Sequence, residues 1–331
     1  MRSILTLAVI CALLSTAVFA EEATLRLEKK IPLGEVRGRI DHLAVDLKRN
    51  RLFVAELEND TVGVVDLDSD KVIQVISGLK NPQGVGYHAA TDTLFVANGG
   101  DGTVAIIGGG SYRQMARLPL GADADNVRID AAAGHVVVGY GEGALASIDP
   151  VRQVKTQDIK LKAHPESFQI DQVSNRIFVN DPTNEAIAVV DRASGKQVAA
   201  WPTGNGSNFP MALNHEARHV LVAFRKPAKL GAFSMENGAI AANVDLCGDA
   251  DDMFIDERRQ QLYVSCGDGS LDVFDVRQRS YPRKARIATV AGARTSLFVP
   301  ELDRLFLAVR LTSSERPAIW VFRPNTEKKA E

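Results

Sequence analysis

The chain has 331 residues, with 39 Lys+Arg against 41 Asp+Glu and 45% hydrophobic residues. A formal charge of −2 gives no general attraction to nucleic acid or anionic membranes, and the apolar content argues against a disordered or fibrous chain. Three cysteines are too few for a disulfide-stapled miniprotein.

Residues 1–20 read as a secretory signal peptide. Arg2 supplies a short basic start, Ile4 to Leu14 carries no charge, and Val18 and Ala20 stand at −3 and −1 before Glu21-Glu22. The apolar run is short for a membrane span, and Ile10 before Cys11 does not suit a lipoprotein. Cleavage would leave residues 21–331, a chain of 311 residues that has lost one Arg and so carries −3. No later segment is apolar enough to cross a bilayer. The mature chain is expected to be soluble and periplasmic or secreted, in an oxidising compartment where a disulfide persists.

From residue 51 a motif recurs. It reads Arg51-Leu52-Phe53-Val54, Thr93-Leu94-Phe95-Val96, His135-Val136-Val137-Val138 and Arg176-Ile177-Phe178-Val179. It returns as His219-Val220-Leu221-Val222, Gln261-Leu262-Tyr263-Val264 and Arg304-Leu305-Phe306-Leu307. The second residues of these seven copies lie 42, 42, 41, 43, 42 and 43 positions apart. Each copy continues into a third run such as Val62-Gly63-Val64-Val65-Asp66, and a fourth such as Lys71-Val72-Ile73-Gln74-Val75-Ile76. Short runs alternating with period two between Gly, Asn and Asp read as strands. Four strands per repeat, seven times, predict an all-β fold: a seven-bladed β-propeller of four-stranded blades in one domain, 21–331. The seventh copy ends after its third strand. Lys29-Lys30-Ile31-Pro32-Leu33-Gly34 mirrors Ala116-Arg117-Leu118-Pro119-Leu120-Gly121, so residues 25–33 are expected to supply the missing outer strand and close the ring.

Leu/Ile-Phe/Tyr-Val-Ala/Asn/Ser followed by Val-x-Val-Val-Asp resembles the YVTN-type β-propeller repeat over the whole mature chain, and the chain is similar to YncE-like exported bacterial propellers. The resemblance implies the architecture. It implies no single reaction, because members of that family share none.

In an antiparallel blade the approach to inner strand A and the B–C loop fall on one face. The seven approaches are polar: Arg39-Ile40-Asp41-His42, Asn81-Pro82-Gln83-Gly84, Asp123-Ala124-Asp125-Asn126, His164-Pro165-Glu166-Ser167, Asn208-Phe209-Pro210, Asp249-Ala250-Asp251-Asp252 and Arg294-Thr295-Ser296. The B–C loops add Glu56, Asn98, Tyr140, Asp181, Arg225 and Arg310. The candidate ligand-binding set at this axial mouth is Asp41, His42, Gln83, Asp125, Asn126, Glu166, Asp251, Arg225 and Arg310, with the two arginines expected on anionic groups. Such Asp and Asn residues also cap turns and brace blades. Asp41, His42, Asp125 and Glu166 are the candidate metal ligands, suited to a divalent ion such as Ca²⁺, or to a transition metal through His42. Cys247 and Cys266 fall on the same face, 19 positions apart, and are expected to form a structural disulfide.

Other motifs fail in context. His215-Glu216-Ala217-Arg218-His219 matches the zinc-protease pattern but falls on an A–B hairpin, not a helix. Gly139-Tyr140-Gly141-Glu142-Gly143 lacks the helix that a dinucleotide loop needs. Asn59-Asp60-Thr61 and Asn205-Gly206-Ser207 are glycosylation sequons if the source glycosylates Asn. No basic stripe with stacked aromatics points to nucleic acid.

The leading expectation is a monomeric binding module whose mouth takes a small polar ligand, a metal or a protein. Two alternatives stay open. One is a metal-assisted, lactonase-like hydrolase using Asp41, Asp125, Asn126, Glu166 and Asp251. The other is an accessory protein of a periplasmic redox system, acting as partner rather than carrier because no C-x-x-C-H is present.

Overall fold

The recurring Leu-Phe-Val segments combine aromatic and β-branched residues between turn formers, and each becomes the second strand of an antiparallel four-stranded sheet. The computed structural model describes residues 24–325, so the expected leader lies outside the described residues. After β1 (Leu25–Pro32), blade 1 holds β2 to β5 (Leu43–Asp46, Arg51–Glu56, Thr61–Asp66, Lys71–Ile76). Blade 2 holds β6 to β9 (Pro82–His88, Thr93–Asn98, Thr103–Gly108, Gln114–Pro119), and blade 3 holds β10 to β13 (Ala124–Asp130, His135–Tyr140, Ala144–Asp149, Val154–Lys160). Blade 4 holds β14 to β17 (Phe168–Asp171, Arg176–Asp181, Ala186–Asp191, Lys196–Pro202), and blade 5 holds β18 to β21 (Gly206–Asn214, His219–Lys226, Ala228–Ser234, Ile240–Asp245). Blade 6 holds β22 to β25 (Ala250–Asp256, Gln261–Cys266, Ser270–Asp275, Arg283–Ala288), and blade 7 begins with β26 to β28 (Ser296–Val299, Arg304–Val309, Ala318–Pro324). The seven sheets form a ring, a β-propeller, as the repeat predicts.

Alternation holds best on the outermost strands. β21, at the rim, shows the half-exposed pattern expected of every run. Second strands are instead buried on both faces: Leu52, Phe53, Val54 and Ala55 are all fully inaccessible. Blades pack face to face, so both sides of a middle strand meet a neighbour. The apolar core accordingly divides into seven clusters, one between each pair of adjacent blades. A fully buried Phe such as Phe53, Phe95 or Phe178 contributes about 2 kcal/mol of transfer free energy to its layer.

Closure follows the expected route. β1 pairs antiparallel with β28, from Leu25 opposite Pro324 to Pro32 opposite Ala318. Ile31 is fully buried with Ile319, Val321 and Phe306 between blades 7 and 1. Away from the mouth, ion pairs tie neighbouring blades at the A–B turns. Arg49 Nη2 donates to Asp92 at 2.6 Å, and Arg259 Nη1 donates to Asp303 at 2.7 Å.

Truncating the closing strand at its anchor tests this seam. Ile31→Ala should cost about 3 kcal/mol, and deleting residues 21–34 should lower the thermal midpoint much further. Thermal unfolding followed by circular dichroism checks both; an unchanged midpoint in the deletion would disprove closure by β1.

Candidate functional site

The inner strands of blades 1 to 6 begin with a bulge, where two residues face one on the neighbouring strand. Register shifts place Gln83 and Gly84 in the blade 2 bulge, Asp125 and Asn126 in blade 3, Phe209 and Pro210 in blade 5, and Asp251 in blade 6. Blades 1 and 4 do the same through hydrogen bonds. Asp41 and His42 both bond to Ala55, and Glu166 and Ser167 both bond to Asn180. The bulges therefore take the polar approach residues out of the regular ladder around the axis. The B–C loops join them on this face: Gly99 N donates to Asn81 O at 3.0 Å and Gly267 N to Asp249 O at 2.9 Å. At Gly84 the strand passes so close to blade 3 that a Cβ would collide with the carbonyl of Asp125.

The result is a mouth cavity of about 180 Å³, whose walls include His42, Gln83, Asp125, Asn126, Glu166, Arg225 and Asp251. A second cavity of about 400 Å³ continues along the inner strands, with Val127, Ile129, Met211 and Met253 among its walls. His42 and Ser167 line both.

One side of the mouth is a web of ion pairs. Arg294 Nη1 lies 2.7 Å from Asp249 Oδ2, and its Nε lies 2.9 Å from Asp251 Oδ2. Arg225 pairs with Asp251 through Nη2 and with Asp249 through Nε at 3.1 Å, and stacks 3.6 Å above the Phe209 ring. Arg39 Nη2 reaches Asp41 at 2.8 Å, and His42 Nδ1 lies 3.3 Å from Asp252 Oδ2. Burial opposes charge on His42, yet the carboxylates of Asp252, Asp41 and Asp125 outweigh it and push the imidazole up to about 10.

On the other side, on blades 3 and 4, Asp125 and Glu166 make no ion pair among the described residues. Burial raises the Asp125 carboxyl well above the usual range, and Asp41 and Glu166 raise it further against His42 and His164. Burial likewise raises Glu166, helped by Asp251 and Asp123 and opposed by His164 and Arg225. In the deeper cavity Arg128 donates to Val127 O at 3.0 Å and to Ser167 Oγ at 3.3 Å; burial lowers its pKa despite Asp252 and Asp125.

Of the expected set, eight residues gather here, since Asp41 is buried beside the lining residues Arg39 and His42. Arg310 does not line the cavity; it is exposed and packs beside Gly292 at the end of β27. Arg225 meets this chain's own carboxylates, so the anionic partner expected for it is internal. Asp41, His42, Asp125 and Glu166 do not converge as metal ligands: among the described residues no three Asp, Glu, His or Cys side chains do. Of the B–C loop residues, Glu56 is buried and accepts from Thr61 Oγ1 at 2.5 Å. Arg39, His164 and Arg294 line the mouth and Asp252 lines the deeper cavity, although none of them is in the expected set. Their alignment at the seven strand approaches was the available signal. Arg128, two positions beyond Asn126, was signalled only by strand periodicity.

Cys247 and Cys266 form the expected disulfide, with Cα atoms 5.9 Å apart. His215 and His219 flank the β18–β19 turn, and His219 Nδ1 lies 2.7 Å from the Tyr281 hydroxyl, so the zinc pattern is structural. No helix among the described residues is long and apolar enough to cross a membrane.

With this geometry in view, two solved structures resemble the ring. A chain of the Kuenenia stuttgartiensis hydrazine synthase structure superposes with a TM-score of 0.75 at 16% identity, over 87% of this chain and 97% of that one. A chain of the mitotic checkpoint complex crystal structure gives 0.76 at 14% identity, over 97% and 98%. At such identities the likeness is one of fold alone. No family model matches the sequence, and no curated protein matches it.

The His42 ion pairs have a definite pH signature. A folded-state pKa near 10 against an ordinary 6.5 stabilises fully below about pH 6.5 and fades as pH rises to about 10. His42→Gln should therefore cost about 3 kcal/mol at pH 6 and progressively less towards pH 10. Chemical denaturation across that range reads the difference; a gap independent of pH would refute the charged imidazole.

Proposed function

We propose that this chain is an exported binding protein of the YVTN-type, YncE-like propellers, and that its axial mouth holds a small polar ligand. One observation carries the reading. Ion pairs fix most of the cavity wall, while Asp125 and Glu166 line the same cavity with no side-chain hydrogen bond among the described residues. Preorganised, unpaired polar groups in a concave site are what selective binding of a small polar molecule requires. A volume of about 180 Å³ favours a compact ligand over a docked protein loop. The leader pattern and the disulfide support export, with the mature chain starting at Glu21.

A thermal-shift screen of small polar compounds and divalent cations should find at least one that raises the midpoint. Asp125→Ala with Glu166→Ala should abolish that shift. A shift that survives the double substitution would place the site elsewhere. Mass spectrometry of protein from its source should find Glu21 at the N-terminus and no free thiol.

A further inference from the structure

The polar groups of the mouth are unevenly matched. Five basic side chains line it, and each already faces a carboxylate: Arg39 faces Asp41, His42 faces Asp252, His164 faces Asp123, Arg225 faces Asp251, and Arg294 faces Asp249. The donors are thus committed. On blades 3 and 4 the position is reversed. Asp125 and Glu166 accept no side-chain or backbone hydrogen bond among the described residues. Between them in the sequence lies a third acceptor of the same cavity, Asn126, which is 3% exposed and whose Oδ1 has no partner. A buried carbonyl left without a donor is a cost that native structures seldom leave unmet. What this side lacks is a donor in contact: His42, His164, Arg128 and Arg225 stand near Asp125 and Glu166, but among the described residues none of them hydrogen-bonds to either carboxyl.

A bare divalent cation meets that need poorly, because it demands several oxygens at about 2.0–2.6 Å, and no three acidic or imidazole side chains here stand in such an array. A primary ammonium carries three donors and accepts longer, more widely spaced contacts, at about 2.7–2.9 Å to carboxylates. The apolar walls of the adjoining cavity, among them Val127, Ile129 and Met211, can receive the carbon chain of such a ligand.

We propose that the mouth captures its ligand through a protonated primary amine, held by Asp125 and Glu166 with Asn126 as third acceptor. The proposal rests on the reading of the mouth as a ligand site and deepens it. It also sets a proton balance. An ammonium pairs with ionised carboxylates, while Asp125 (facing Asp41, His42, His164, Arg128 and Glu166) and Glu166 (facing His164, Asp251, Arg225 and Asp123) hold their protons to unusually high pH. Amine binding should therefore release protons and weaken as pH falls from 8 to 6.

Calorimetric titration of the mature protein with n-butylammonium tests this, beside tetramethylammonium, butyrate and Ca²⁺, in two buffers of different ionisation enthalpy. Butylammonium should bind at least tenfold more tightly than the other three, with proton release. Asp125→Asn and Glu166→Gln, nearly isosteric and tested separately in case one fails to fold, should each weaken it at least tenfold. Equal binding of tetramethylammonium would show that charge alone is read, and tighter binding of Ca²⁺ would make the site a metal site; either overturns the proposal. Butyrate binding best, or a neutral ligand from the thermal screen binding at the mouth while butylammonium does not, would overturn the amine and leave the ligand site standing. No binding by any compound would overturn both.

Discussion

Everything at the axis depends on one pairing, that of Leu25–Pro32 against Ala318–Pro324. Without it, blade 7 would present an open edge, and the apolar layer between blades 7 and 1 would lose Ile31 and Leu33. With it, seven inner strands are held around one line. Residues more than two hundred positions apart in the chain then meet: His42 of blade 1 reaches Asp252 of blade 6, and Thr295 donates to Ile40 O at 3.2 Å across the seam. The closing strand supplies none of the residues that line the mouth, yet their mutual distances are consequences of the ring it completes.

Once the axis exists, the bulges decide what faces it. A regular ladder would continue the pleat to the rim and bury approach residues between blades. The extra residue turns Asp125, Glu166 and Asp251 towards the common cavity instead. Their fates then differ with their neighbours. Asp251 sits between Arg225 and Arg294 and is neutralised, whereas no arginine pairs with Asp125 or Glu166. Buried charge is tolerable when paired in good geometry and costly when not. The mouth therefore carries a gradient, from ion pairs on blades 5, 6, 7 and 1 to Asp125 and Glu166, which have none, on blades 3 and 4.

Much of this was legible in the chain itself. The period near 42 residues specified the ring and the number of blades, and the likeness of Lys29–Gly34 to Ala116–Gly121 located the closing strand. Alignment of the copies also found most of the mouth, because position within a repeat is position relative to the axis. It misjudged Arg310, which shares the B–C loop position of Arg225 but points away from the cavity. It also assigned Arg225 to a ligand's charge, when Asp249 and Asp251 on the next blade already hold it. Both errors arise because the copies align residues without aligning their neighbours.

The architecture, the closing strand, the pairing of Cys247 with Cys266 and the polar character of one face follow from the order of residues alone, because these depend on periodic burial and on position within a repeat. Which acids pair with arginines and which do not is set by the folded ring. That depends on distances between side chains of different blades, and those distances exist only once the ring has closed.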